Sequence, residues 1–157
     1  MKHTLSVLVE NKPGVLARVA EMFARRGFNI DSLAVGETER PQFSRITIVV
    51  DVAEHSLEQV RKQLHKLINV VEITDLEPDE SVERELMMVK VKVNAGTRAE
   101  LMQLADIFRG KIVNVSRETC IVEITGPAGK LAAFEELLRP FGIKELVRTG
   151  KVALARS

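Results

Sequence analysis

The sequence predicts an α+β fold built from two βαββαβ units in tandem. Three observations predict it. Strand-like alternation and helix-like periodicity succeed one another in the order βαββαβ across residues 1–77. An acid-rich stretch with one proline, residues 77–85, then interrupts the pattern. The same order resumes over residues 86–157. The expected organisation is a first unit at 1–77, an acidic linker at 78–85 and a second unit at 86–157. Each βαββαβ unit folds as a four-stranded antiparallel sheet with both helices on one face, the ferredoxin-like arrangement.

In the first unit, residues 3–10 alternate as a strand. Asn11-Lys12-Pro13-Gly14 is a tight turn. A helix over 14–26 carries Val15, Leu16, Val19, Met22 and Phe23 on one face. Gly27 stands where a left-handed C-terminal cap belongs. The second strand, 28–38, shifts its apolar phase from Phe28/Ile30 to Leu33/Val35, which predicts a bulge near Asp31-Ser32. The third strand is 43–52. Ser56 and Gln59 form a capping box that opens the second helix. The fourth strand is 70–76. In this unit the sheet face away from the helices is expected to stay uncovered and to carry at least one aliphatic side chain. Pairing with a partner is therefore attractive for so small a core.

The second unit opens with a strand over 86–94. Thr97 and Glu100 form a second capping box, and Leu101, Leu104, Ala105 and Phe108 line the helix that follows. Gly110 ends it. Strands at 111–117 and 119–126 precede a helix at 128–138 with Leu131, Phe134 and Leu138, which Pro140 stops. A last strand spans 143–156, bent near Gly150.

The bulk properties exclude several function classes. Twenty-three basic and 22 acidic side chains leave a net charge of +1, too balanced for a nucleic-acid or membrane surface. A single cysteine, Cys120, allows no intrachain disulfide. It alternates with Val122 and Ile124 and reads as a core thiol. No apolar run approaches the length of a membrane span, so a cytoplasmic location is expected. His3, His55 and His65 are scattered and read as ordinary surface or packing residues, with no spacing for a metal. No nucleophile, histidine and acid form a catalytic pattern. Asp31 beside Asn29 makes no metal site.

Taken one at a time, Pro13-Gly14 reads as a turn leading into a helix, Asn11 as a turn or cap residue, and Asn29 as a polar residue at a strand edge. Together they also suit a small zwitterion. The first turn of a helix offers free N–H groups and a positive dipole end to a carboxylate. Gly14 lets a ligand approach the backbone, and asparagine oxygens accept from an ammonium.

Glu10-Asn11-Lys12-Pro13-Gly14-Val15-Leu16-Ala17-Arg18, followed by Arg26-Gly27-Phe28-Asn29-Ile30-Asp31-Ser32-Leu33, resembles an ACT domain. Ser44-Arg45-Ile46-Thr47-Ile48, Val82-Glu83-Arg84-Glu85-Leu86-Met87, Ile107-Phe108-Arg109-Gly110-Lys111 and Thr125-Gly126-Pro127-Ala128-Gly129-Lys130-Leu131 extend the resemblance. Across the whole chain it is to the small, regulatory subunits of acetohydroxyacid (acetolactate) synthase.

The resemblance implies a noncatalytic protein with no cofactor of its own. Its partner is a large catalytic subunit that uses thiamine diphosphate, magnesium and FAD to condense pyruvate with a second 2-oxo acid in branched-chain amino-acid synthesis. The small subunit activates that partner and confers feedback inhibition by L-valine. It also implies a homodimer through the ACT domains at 1–77, with the effector at their interface. By motif the effector-contacting positions are Asn11, Gly14, Val15, Leu16, Asn29 and Ile30. Many relatives carry small or acidic residues where this chain has Lys12-Pro13.

Three other classes share the element order or the sensing role. An RNA-recognition module needs stacking aromatics on its central strands, where only Phe43 is present, at an edge. An acylphosphatase-like enzyme needs an arginine in the first loop, where Lys12 stands. A ligand-sensing transcription factor needs a helix-turn-helix segment for which there is no room. An ACT-containing sensor of another amino acid is the remaining alternative.

Overall fold

The computed structural model describes the backbone of all 157 residues and every side chain except that of His55. It divides into two compact units, residues 1–82 with 151–157, and residues 83–150.

In the first unit the elements are β1 (Lys2–Glu10), α1 (Val15–Arg25), β2 (Ile30–Glu37), β3 (Phe43–Asp51), α2 (Glu54–His65) and β4 (Val70–Leu76). The strands form one antiparallel sheet in the order β2-β3-β1-β4. Alternation decides which face each side chain takes. Leu5, Val7 and Val9 of β1 and Ile46, Ile48 and Val50 of β3 meet Val19, Met22 and Phe23 of α1 and Leu57, Val60 and Leu64 of α2 in a single core. The expected bulge is present, since the β2–β3 register slips between Ile30 and Ser32. Gly27 takes φ 71°. Its N–H reaches Ala24 O and that of Phe28 reaches Phe23 O, the paired bonds of a Schellman cap.

The second unit repeats the plan with β5 (Ser81–Lys92), α3 (Arg98–Ile107), β6 (Lys111–Val115), β7 (Thr119–Gly126), α4 (Ala128–Leu138) and β8 (Ile143–Arg148). The sheet order is β6-β7-β5-β8, and a short last strand, β9 (Val152–Ala155), belongs to the C-terminal segment that the first unit includes. Met87, Val89, Val91, Cys120, Val122 and Ile124 pack on Leu101, Ala105, Leu131, Phe134 and Leu138. Cys120 is thus a core thiol, as its alternation indicates. Phe108 and Phe134 meet at 5.1 Å between ring centroids.

Several expectations are corrected. The face of the first sheet away from its helices is not bare: Ser6, Thr47 and Val49 are 3% exposed and Leu8 4%. The C-terminal segment returns to this face, where the Lys151 N–H donates to Ser32 Oγ at 2.9 Å. An uncovered face therefore supplies no reason for dimerisation.

The stretch expected as a linker is ordered. Pro78–Glu80 forms a 3₁₀ turn, Ser81 is buried with its hydroxyl donating to Glu77 O at 2.7 Å, and residues 81–85 already belong to β5. The last strand is two, broken at Gly150 with φ 89°.

Neither capping box forms. α2 starts three residues early, with Ala53 and not Ser56 at the N-cap, so Ser56 lies within its first turn and its N–H donates to Ala53 O. Thr97 is the N-cap of α3 but makes no cap bond with its side chain. Finally, α3 is ended by Arg109 at φ 58°, one residue before Gly110. Gly110 instead permits close packing, since a Cβ there would stand 3.1 Å from Glu123 O on β7.

Candidate functional site

The β1–α1 turn is the first part of the candidate site. Asn11 N–H donates to Gln42 O at 2.8 Å, which ties the end of β1 to the β2–β3 turn. The Asn11 side-chain Nδ2 donates to Pro41 O at 3.0 Å and to Glu37 Oε1 at 3.2 Å. Gly14 takes φ 85° at the N-cap of α1 and supplies no side-chain cap. A Cβ at Gly14 would meet nothing within 4 Å, so backbone conformation alone makes glycine suitable there. The Arg18 N–H closes the first helical bond onto Gly14 O. The N–H groups of Leu16 and Ala17 find no carbonyl among the described residues, as helix geometry dictates. No acid stands in the first turn to offset the dipole.

Two residues brace this turn from beneath. Glu10 Oε2 pairs with Lys12 Nζ at 2.8 Å, and Glu10 Oε1 accepts from Asn69 Nδ2 at 3.1 Å. The Lys12 ammonium first, then the Asn69 amide, holds the Glu10 carboxyl below the usual glutamate range. Arg18 Nη1 donates to Asn69 Oδ1, completing the brace.

The same place in the second unit is built differently. Asn94 Oδ1 accepts from Gly96 N–H at 2.8 Å and Thr97 N–H at 3.0 Å, and Thr97 Oγ1 accepts from Asn94 N–H at 3.0 Å. This turn consumes its own donors, and Glu100 sits in the first turn of α3. Among the described residues the Ala99 and Glu100 N–H groups at the start of α3 find no carbonyl, as Leu16 and Ala17 find none in α1; the two starts differ in the Glu100 carboxylate and in the turn that precedes each helix.

The second part of the candidate site precedes β2. Asn29 is exposed, and its Nδ2 donates to Asp31 Oδ1 at 3.3 Å. Asp31 Oδ2 pairs with Lys2 Nζ at 2.8 Å. The hydrogen bond and charge of Asp31 raise the Lys2 pKa. Nearby, the N-terminal ammonium bonds Asp51 Oδ1 at 2.9 Å and holds that carboxyl low. Ile30 is half-buried against the core.

Of the six positions that the resemblance singles out, Asn11, Gly14, Val15 and Leu16 are gathered at one end of the sheet. Val15 is buried, and Leu16 is 42% exposed. Asn29 and Ile30 lie at the other end. Ile30 pairs with Val50, which pairs with His3, whereas Asn11 follows Glu10, whose partner is Phe43. At about 3.3 Å per residue the two groups stand roughly 25 Å apart in one chain. The residues that orient the two asparagines, Glu37 and Asp31, escape a reading of periodicity because their partners are distant or depend on the bulge. Among the described residues no cluster of three or more histidine, cysteine or carboxylate side chains could hold a metal ion. Nor is any helix long and apolar enough to cross a membrane.

Two ferredoxin-like units in tandem, the first with an open helix start behind a left-handed glycine, define a chain of the ACT-domain class. Comparison with known proteins narrows the class. Residues 5–72 match the family model of the AHAS small subunit-like ACT domain, and residues 84–157 match that of the small subunit of acetolactate synthase. A probable acetolactate synthase small subunit of Archaeoglobus fulgidus is 55% identical over 99% of this chain and 98% of its own length. The acetolactate synthase small subunit of Mycobacterium leprae is 54% identical over 98% of this chain and 91% of its own. The crystal structure of the acetolactate synthase small subunit from Thermotoga maritima superposes with a TM-score of 0.93, at 47% identity, covering 100% of this chain and 98% of the other. The chain belongs to the acetolactate synthase small subunit family.

Proposed function

We propose that this protein is a noncatalytic regulatory subunit that senses L-valine and sets the activity of a separate large subunit. The large subunit carries the thiamine diphosphate, FAD and magnesium and performs the condensation of 2-oxo acids; this chain contributes no catalytic residue. The reading is of a feedback loop in branched-chain amino-acid synthesis, operating in the cytoplasm. The observation that supports it best is the contrast between the two helix starts. The Leu16 and Ala17 N–H groups and the dipole of α1 are available to a carboxylate, with no acid of the chain in that first turn, whereas Glu100 already stands in the first turn of α3.

The effector site is completed by a second copy. β2 is an edge strand, and a two-fold contact through β2 sets it antiparallel to its counterpart. The start of one β2, with Asn29 and Ile30, then lies beside the end of the other, where Glu37 holds Asn11. The two groups that one chain keeps apart thus meet across the dimer. Leu16, Val15 and Ile30 offer apolar surface for an isopropyl side chain, and the two asparagines offer oxygens for the ammonium. Valine shifts the enzyme's activity by binding one arrangement of the complex better than another.

The test is reconstitution with the matching large subunit. The chain is expected to raise acetolactate formation, and valine to reverse the gain. A large subunit indifferent to the chain would overturn the proposal, and activation without a valine response would remove its sensing half.

A further inference from the structure

We infer that Asp31 and Glu37 are positioning residues that turn Asn29 and Asn11 so that each presents its carbonyl oxygen, and not its amide nitrogen, to the ammonium of the effector. The inference rests on the effector site proposed above. A primary amide is ambidextrous: its nitrogen repels an ammonium and its oxygen attracts one. An unrestrained asparagine on a surface samples both orientations, so discrimination requires that something hold it.

Both asparagines are held the same way. Asn11 commits Nδ2 to Pro41 O and to the Glu37 carboxylate. Asn29 commits Nδ2 to the Asp31 carboxylate. Neither Oδ1 accepts a hydrogen bond from the described residues. A carboxylate cannot donate, so only the nitrogen edge of each amide can face it. Asp31 is itself locked, because its other oxygen pairs with Lys2. The β-bulge between Ile30 and Ser32 places Asp31 where it meets both. Two separate turns at the two ends of β2 thus use the same device, and each leaves an acceptor outward. The Glu37 carboxylate behind Asn11 also favours a cation in front of that amide.

The test compares valine with 3-methylbutanoate, which keeps the carboxylate and isopropyl group and lacks the ammonium. Calorimetry on the full chain measures both. Asp31→Ala is expected to weaken valine about tenfold, the scale of one charged hydrogen bond, and to leave 3-methylbutanoate unchanged. Asp31→Asn retains an acceptor toward Asn29 and restores most of the valine affinity. Glu37→Ala acts in the same direction but by less, because Pro41 O still holds Asn11. Unchanged valine affinity in Asp31→Ala and Glu37→Ala would overturn the inference. So would a parallel loss of both ligands, which would mark a merely structural role. If the unaltered chain binds neither ligand, the effector site itself is refuted, and the inference falls with it.

Discussion

Replacement of Gly14 separates backbone strain from charge. Gly14 sits at φ 85°, and a Cβ there touches nothing within 4 Å. Gly14→Ala therefore adds no clash, and its cost is the left-handed backbone alone, about 1–2 kcal/mol. For a chain of this size that lowers the melting temperature by roughly 2–8 °C. Asparagine and aspartate tolerate this conformation better, so Gly14→Asn and Gly14→Asp should cost less than Gly14→Ala and resemble each other in stability. Their effects on valine differ. A carboxylate at position 14, about 6 Å from that of the ligand at an effective dielectric of about 20–40, opposes binding by about 1.4–2.8 kcal/mol, roughly ten- to hundredfold. The neutral isostere escapes that penalty. The assay is the rise in melting temperature with valine concentration, which follows affinity by mass action; a dye or calorimetry reports it, since the chain has no Trp. High salt should return part of the affinity of Gly14→Asp. Equal valine affinity in the Asn and Asp variants would refute the placement of the ligand carboxylate at the start of α1.

Two further outcomes follow from the structure. Arg109 holds φ 58° at the end of α3, and glycine is at ease there, so Arg109→Gly should stabilise by about 1 kcal/mol and raise the melting temperature by a few degrees in a thermal melt. Glu10 is held below its ordinary pKa by Lys12 and Asn69, so its contribution is complete above the unfolded value and is lost as pH falls through the folded one. The melting temperature of the unaltered chain should therefore exceed that of Glu10→Gln at neutral pH, and the two curves should converge below about pH 4.

What the sequence by itself determined is whatever is written in local periodicity. The period-2 runs of β1, β3, β5 and β7 and the 3.6-residue stripes of the helices name nearly every core residue, because alternation and helical twist are properties of neighbouring residues. The phase change between Ile30 and Leu33 announced the bulge for the same reason, and Gly27 its left-handed cap. The tertiary structure alone decided the rest. Ser6 and Thr47 look like solvent-facing positions in an alternating strand, yet they are buried. The Lys151 amide meets Ser32 119 residues away in sequence, beyond the reach of any window. Asn11 and Asn94 both stand where a first strand gives way to a first helix. One turns its amide outward to Glu37 and Pro41, and the other folds its oxygen back onto its own loop. That choice depends on which acceptors the β2–β3 turn brings alongside. A side-chain amide takes whichever partner the fold places within about 3 Å, and only folding decides which partner that is.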